Sequence, residues 1–276
     1  MKMPKITEYT STSDISTSDI FIIGTSDGTR KVTAANLAAI LGGKISSINR
    51  RNIYRGASLG TEVASAQLAA IKAGTFEGMF IGDYWTINSI KWIIADMDYW
   101  YNTGDTAFTT HHLVMIPGST LYSTQMNSSN TTEGGYVGSL MYTEGLETAK
   151  ETISEAFGDL VLTHREYLSN AVTSGHPSAG LWCDSTVELM NEIMVYGSYI
   201  RSTMSNGSTI SHNYTIDKQQ LSLFRLSPRA INTRSTVWLR DVVSPTTFAS
   251  VNYYGNANAN VASNSSYVRP VFPIGA

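Results

Sequence analysis

Residues 238–272 read WLRDVVSPTTFASVNYYGNANANVASNSSYVRPVF. The two ends of this stretch are built for a core: Trp238, Leu239, Val242 and Val243 open it, and Val268, Val271 and Phe272 close it. The middle is polar and dominated by Asn, Ser and Tyr. Alternation in FASVNYY predicts a strand with Phe248, Ser250, Asn252 and Tyr254 on one face and Ala249, Val251 and Tyr253 on the other. Beyond Gly255 the same period places Asn256, Asn258 and Asn260 together. Asn is disfavoured in strands, so this part is expected to be an exposed ribbon or loop. Arg240 and Arg269 lie inside the apolar ends. A buried guanidinium must be paired, so both are expected to pin the terminal strands. Asp241 is a local candidate partner, and a carboxylate elsewhere is an equal one.

The rest of the chain gives this stretch a setting. Residues 1–43 read as a separate unit. They comprise a Ser/Thr-rich arm (TSTSDISTSD), a β-hairpin from Asp19–Gly24 and Arg30–Thr33 turning at Gly28, and a helix AANLAAIL capped by Thr33. Some 40 residues bury little surface, so this unit is expected to rest on a partner. Residues 44–75 read as a connector with a short helix from Ser65. Its run KISSINRRNIYRG is expected to be solvated surface or a subunit contact.

The main domain is expected over residues 76–276. IGDYWTINSIKWIIADMD predicts strands at Tyr84–Ile87 and Lys91–Ala95 joined by Asn88-Ser89, and HHLVMIP predicts a third. GLETAKETISEAFG has Leu146, Ala149, Ile153, Ala156 and Phe157 at helical spacing, ending at Gly158. Capping boxes from Thr163 to Glu166 and from Ser185 to Glu188 predict two more helices. LSLFRL, VWLRD, FASVNYY and YVRPVFPI predict four short strands. Strands, then helices, then strands make an α+β fold.

The totals exclude several functions. Among 276 residues, 42% are hydrophobic and 15% charged, so a sizeable core is expected rather than a disordered chain. The net charge is −3 and the Lys and Arg residues are scattered, which argues against nucleic acid as a partner. No signal-peptide run and no apolar segment of spanning length is visible, so neither Sec-type export nor membrane insertion is expected. Cys183 is the single cysteine, which excludes an intrachain disulfide and a Cys-rich zinc site. It is read as a buried structural thiol just before a helix cap. No cofactor is expected, and GxSxG, P-loop and dinucleotide fingerprints are read as absent. No metal is expected either. His111-His112 point to opposite faces of a strand, and Asp96, Asp98 and Asp105 in DMDYWYNTGDT lack calcium-loop spacing. Tyr84, Trp85, Trp92, Tyr99, Trp100 and Tyr101 are read as aromatic core in preference to a sugar-stacking platform.

With these residues in view, a likeness emerges. WLRD and YVRPVF at their separation, with IGDYWTINSIKWIIADMD and LWCDSTVELMNEIMVYG, resemble the C-type-lectin-like domain of the formylglycine-generating-enzyme type over residues 76–276. Within that fold the chain is similar to the family of phage receptor-binding proteins that includes the major tropism determinant, several of them variable proteins of diversity-generating retroelements. Residues 5–41 resemble short attachment segments of phage fibre proteins.

The resemblance implies a virion protein, made in the host cytoplasm, that binds a host cell-surface protein or glycan. Other virion proteins would be met through residues 1–43, and a homo-oligomer, a trimer by analogy, is implied. The ligand surface would comprise Thr246, Thr247, Ser250, Asn252, Tyr254, Asn256, Asn258, Asn260, Asn264, Ser266 and Tyr267. Formylglycine-generating enzymes use a cysteine pair, so their oxidase activity is not expected here. The EPN, QPD and WND motifs of calcium-dependent lectins are missing as well. The alternative is a structural head-decoration or fibre protein without receptor binding, and an enzyme is the least supported class.

Overall fold

A computed structural model describes residues 16, 18–25, 28–34, 36–37, 47–202 and 219–276. The chain divides into two compact units, Met1–Ser46 and Ser47–Ala276. In the first, β1 (Ile20–Thr25) pairs antiparallel with β2 (Gly28–Thr33), with Thr25 opposite Gly28. Gly28 has φ +115°, the positive value that the sequence assigns to this turn. Thr33 Oγ1 accepts from the Asn36 N–H at 3.2 Å, an N-cap for the residues that follow. Most of the predicted Ser/Thr arm and most of the AANLAAIL helix lie outside the described residues.

The second unit is mixed α+β, with more sheet than helix. One sheet has the order β10-β15-β6-β5-β4-β3: Glu188–Leu189, Pro270–Gly275, His112–Pro117, Ile90–Met97, Tyr84–Ile87 and Ser58–Gly60. A second has the order β13-β12-β11-β14-β7: Ala257–Val261, Thr247–Val251, Val237–Ser244, Ser265–Val268 and Tyr122–Gln125. A two-stranded ribbon, β8 (His164–Thr173) with β9 (His176–Ser185), completes the strands. Trp92 sits edge-on to Phe157 and Phe272, both at 5.6 Å, which locks the Glu147–Phe157 helix to β5 and β15. Trp85, Trp92, Tyr99 and Trp100 are all buried, so they form core, as expected.

YVRPVF is not one strand. It passes from β14 in one sheet to β15 in the other, and Arg269 stands at the crossing. Its Nε donates to Pro117 O at 3.0 Å and its Nη1 to Ala230 O at 2.7 Å, with the guanidinium 5.6 Å from the Phe224 ring. Burial lowers its pKa to about 10. Carbonyl dipoles, where a carboxylate was expected, thus hold the charge and tie the crossing to β6 and to the turn at Pro228–Ile231.

Several expectations are corrected. The segment read as a connector over 44–75 falls, from residue 47 on, in the same compact unit as residues 76–276, with the boundary at 46/47. Ile71 is fully buried, and β3 pairs parallel with β4. The arginines of RRNIYR are not simply solvated. Arg51 pairs with buried Asp96, and Arg55 Nη2 meets buried Asp83 at 2.6 Å. Arg50 is itself buried and lies over the Phe80 ring.

The Thr163–Glu166 signal opens a strand rather than a helix. His164, Glu166 and Leu168 are buried in alternation, so the two-residue period prevails. Ser185 and Glu188 do meet, Oγ to Oε1 at 2.7 Å, but as a buried side-chain pair. The helix there is Glu192–Tyr196, and its N-cap is Asn191, whose Oδ1 accepts from the Met194 N–H at 2.7 Å. LSLFRL forms a helical turn over Ser222–Leu226 in place of the expected strand. Cys183 is buried in β9, away from any helix start, and burial pushes its thiol pKa up.

Candidate ligand-binding surface

The frame is the β11–β12 pair. Trp238 lies opposite Ser250 and Val242 opposite Phe248, and Trp238, Leu239, Val242, Phe248 and Ala249 are all buried. Trp238 Nε1 donates to Thr124 O at 2.9 Å, which fixes the strand to β7. Arg240 Nη2 meets Glu166 Oε1 at 2.5 Å, with both side chains almost wholly buried. A carboxylate distant in sequence is therefore the partner. Asp241 instead accepts from the Glu192 N–H at 2.6 Å.

β13 pairs with β12 from Thr247↔Val261 to Val251↔Ala257. The Asn-rich segment is thus a regular strand, the ribbon rather than the loop of the two expected forms. The ladder pairs its backbone groups, and its residues are only partly buried, so the low strand preference of Asn costs little. The alternation expected past Val251 stops at a turn. Asn252 Oδ1 accepts from the Tyr254 N–H at 2.9 Å and the Asn256 N–H at 3.0 Å. Gly255 has φ +88° and donates its N–H to Asn252 O. This is an Asx-stabilised tip.

The tip carries two rings. Tyr253 is 46% exposed and Tyr254 74%, set edge-to-face at 5.4 Å. The Tyr196 hydroxyl donates to Gly255 O at 3.2 Å, and Arg201 Nε donates to Ala257 O at 3.3 Å. Beside the tip lies a cleft of about 630 Å³ lined by Tyr196, Arg229, Ile231, Asn232, Arg234 and Tyr254, among others. The Arg234 guanidinium is 5.9 Å from the Tyr253 ring centre. Sequence reasoning passed over Arg229 and Arg234, because the fold alone brings residues 228–234 beside residues 253–255.

The expected site residues do not form one patch. Tyr254 and Asn256 sit at the tip, and Asn258 is half-buried on β13. Thr246, Thr247, Asn260 and Asn264 lie toward the opposite end of the hairpin, a strand length of about 13 Å away. Tyr267 is exposed on β14, opposite Ser123 of β7. Two expectations fail: Ser250 and Ser266 are buried and face no solvent. Two more residues have structural work: Asn252 holds the turn, and Asn260 donates to Ser266 Oγ at 3.0 Å while its Oδ1 accepts from Asn264 Nδ2 at 2.8 Å.

Compared with protein-family models, curated proteins and solved structures, the chain gives no match.

Other candidate chemistry resolves into scaffold. His112 is buried, accepts from the Trp100 N–H at 3.2 Å and donates from Nδ1 to Thr110 O at 2.9 Å. Burial holds its pKa down to about 3, so it stays neutral. Asp96, Asp98 and Asp105 turn to Arg51, His111 and Arg165 respectively and do not converge. Gly56-Ala57-Ser58-Leu59-Gly60 has the spacing of a serine-hydrolase nucleophile elbow, which corrects the reading that no GxSxG run is present. Its Ser58 lies on edge strand β3, not at a strand-to-helix turn, and among the described residues its Oγ accepts from the Gly60 N–H alone, at 3.4 Å.

Proposed function

We propose that the chain is a phage virion protein whose C-type-lectin-like domain grips a host-surface ligand with the tip of its C-terminal hairpin. The observation that carries this reading is the contrast across a few residues. Phe248 and Ala249 are fully buried, whereas Tyr254, on the same hairpin, is 74% exposed. Aromatic side chains held out on a packed frame bind with little ordering cost. In this reading residues 1–43 attach the domain to other virion proteins, and several copies, a trimer by analogy, multiply weak contacts by about 10²–10⁴. Diversification by adenine mutagenesis would leave the Asn-, Ser- and Tyr-rich composition of residues 244–267.

Competition tests the reading. Purified full-length protein, added in excess to susceptible cells, is expected to block adsorption of the phage that carries it. Undiminished adsorption, with the protein located on the particle, would leave the structural fibre or decoration role in its place. A near-copy of the codons for residues 235–270, differing mainly at adenines and beside a reverse-transcriptase gene, is the independent genetic check.

A further inference from the structure

The cleft beside the tip has an unspent charge. Arg229 and Arg234 both line it and both are exposed. Among the described residues, the acidic partners of ion pairs are matched to Arg51, Arg55, Arg165, Arg240, Lys150 and histidines, and neither Arg229 nor Arg234 takes part. A pair of guanidinium groups in a concavity without a carboxylate favours an anion. The planar fork of Arg suits a carboxylate, which it can hold through two parallel hydrogen bonds.

The remaining lining narrows the class. The exposed Tyr254 ring stands at the cleft edge, braced by Tyr253, and offers an apolar face to the C–H face of a sugar ring. The Asn232 side chain, whose Oδ1 accepts from the Arg234 N–H at 2.8 Å, keeps its amide N–H groups for hydroxyl or carbonyl oxygens. The volume of about 630 Å³ lies within the range of small-ligand sites. A chain carrying a net charge of −3 has no general attraction for polyanions, so the selectivity is local.

The geometry points to an acidic saccharide as the ligand: a uronic- or sialic-type sugar whose carboxylate meets Arg229 and Arg234 while its ring stacks on Tyr254. This inference rests on the hairpin-tip reading above and names the ligand class for that site.

The test uses the full chain and calorimetric titration with oligogalacturonate and with sialyllactose. Controls are the carboxyl-reduced oligogalacturonate, lactose and a polyglutamate peptide. Binding of at least one acidic saccharide is expected, with its neutral counterpart weaker by roughly tenfold or more. Arg229→Gln, Arg234→Gln and Tyr254→Ala should each weaken it to a similar degree while melting like the parent chain. Three results overturn the inference: no binding of either acidic saccharide, equal binding of the neutral controls, or polyglutamate binding as tightly as the sugars. If cell binding still depends on Tyr254 but not on Arg229 and Arg234, the hairpin-tip reading stands and the acidic-saccharide assignment alone fails.

Discussion

Arg240, on the strand that supports the hairpin, donates to Glu166 Oε1 at 2.5 Å across 74 residues of sequence. Glu166 also faces His164, Oε2 to Nε2 at 3.2 Å. The pair joins the β8–β9 ribbon to β11 inside the protein. Breaking it from one side leaves an uncompensated buried charge. Arg240→Met is expected to cost about 3–5 kcal/mol, and Arg240→Met with Glu166→Gln distinctly less. Urea unfolding of the two single variants and the double variant measures the coupling.

Glu188 gives the stability a pH signature. Burial, reinforced by the charge of Glu166, raises its pKa from 4.5 to about 7. Between those values the folded chain holds a proton that the unfolded chain has lost, so stability falls as pH rises from about 4.5 to about 7. Glu166 works in the opposite direction. Burial resists its ionisation, but Arg240 and His164 prevail and hold its pKa at about 2. Its contribution is present above pH 4.5 and is lost as pH falls toward 2. Glu188→Gln should recover on the order of 2 kcal/mol at pH 8 relative to pH 5. Some slope should remain from Asp241, which burial and Glu192 raise to about 7. Urea midpoints of both proteins at the two pH values check this.

The unit boundary is testable by truncation. A fragment beginning at residue 47 keeps Arg51, Arg55 and Ile71, whereas one beginning at residue 76 leaves Asp83 and Asp96 buried without their arginines. The first is expected to give a cooperative melt and dispersed amide spectra. The second is expected not to fold.

Asn252 holds the tip. Asn252→Ala removes the acceptor for the Tyr254 and Asn256 amides and should cost about 1 kcal/mol, whereas Asn252→Asp keeps it. Faster hydrogen exchange at those two amides in the Ala variant, and not in the Asp variant, is the expected readout.

Much of the frame was legible in the sequence. The β4–β5 hairpin, the Glu147–Phe157 helix and the WLRD strand follow from simple periodicity, and each is where it was expected. Local signals misled where long-range contacts outweighed them. Thr163–Glu166 looks like a cap until Arg240 claims Glu166 for the interior. LSLFRL is apolar enough for a strand, but it packs as a helical turn with Leu221, Leu223 and Phe224 in the core. Composition marked residues 244–267 as a display region without separating displayed side chains from supporting ones. Ser250, Ser266 and Asn252 share the chemistry of Asn256 and Asn258, and only the pairing of strands tells them apart. Arg229 and Arg234 carry no motif, and their nearness to the tip is a property of the fold.

In the proposed function the tip binds and the frame only supports it. Two sets of substitutions in the full chain separate these roles: Tyr254→Ala with Asn256→Ala and Asn258→Ala, against Ser250→Ala with Ser266→Ala. Ser250 Oγ is buried and has no hydrogen-bond partner among the described residues, so its loss costs the fold little. Saturation binding to susceptible cells, measured alongside thermal melting, is the decisive comparison. The tip set should abolish binding and leave the melting temperature where it was, and the frame set should keep binding intact. Full binding by the tip set, with the fold preserved, would contradict the account.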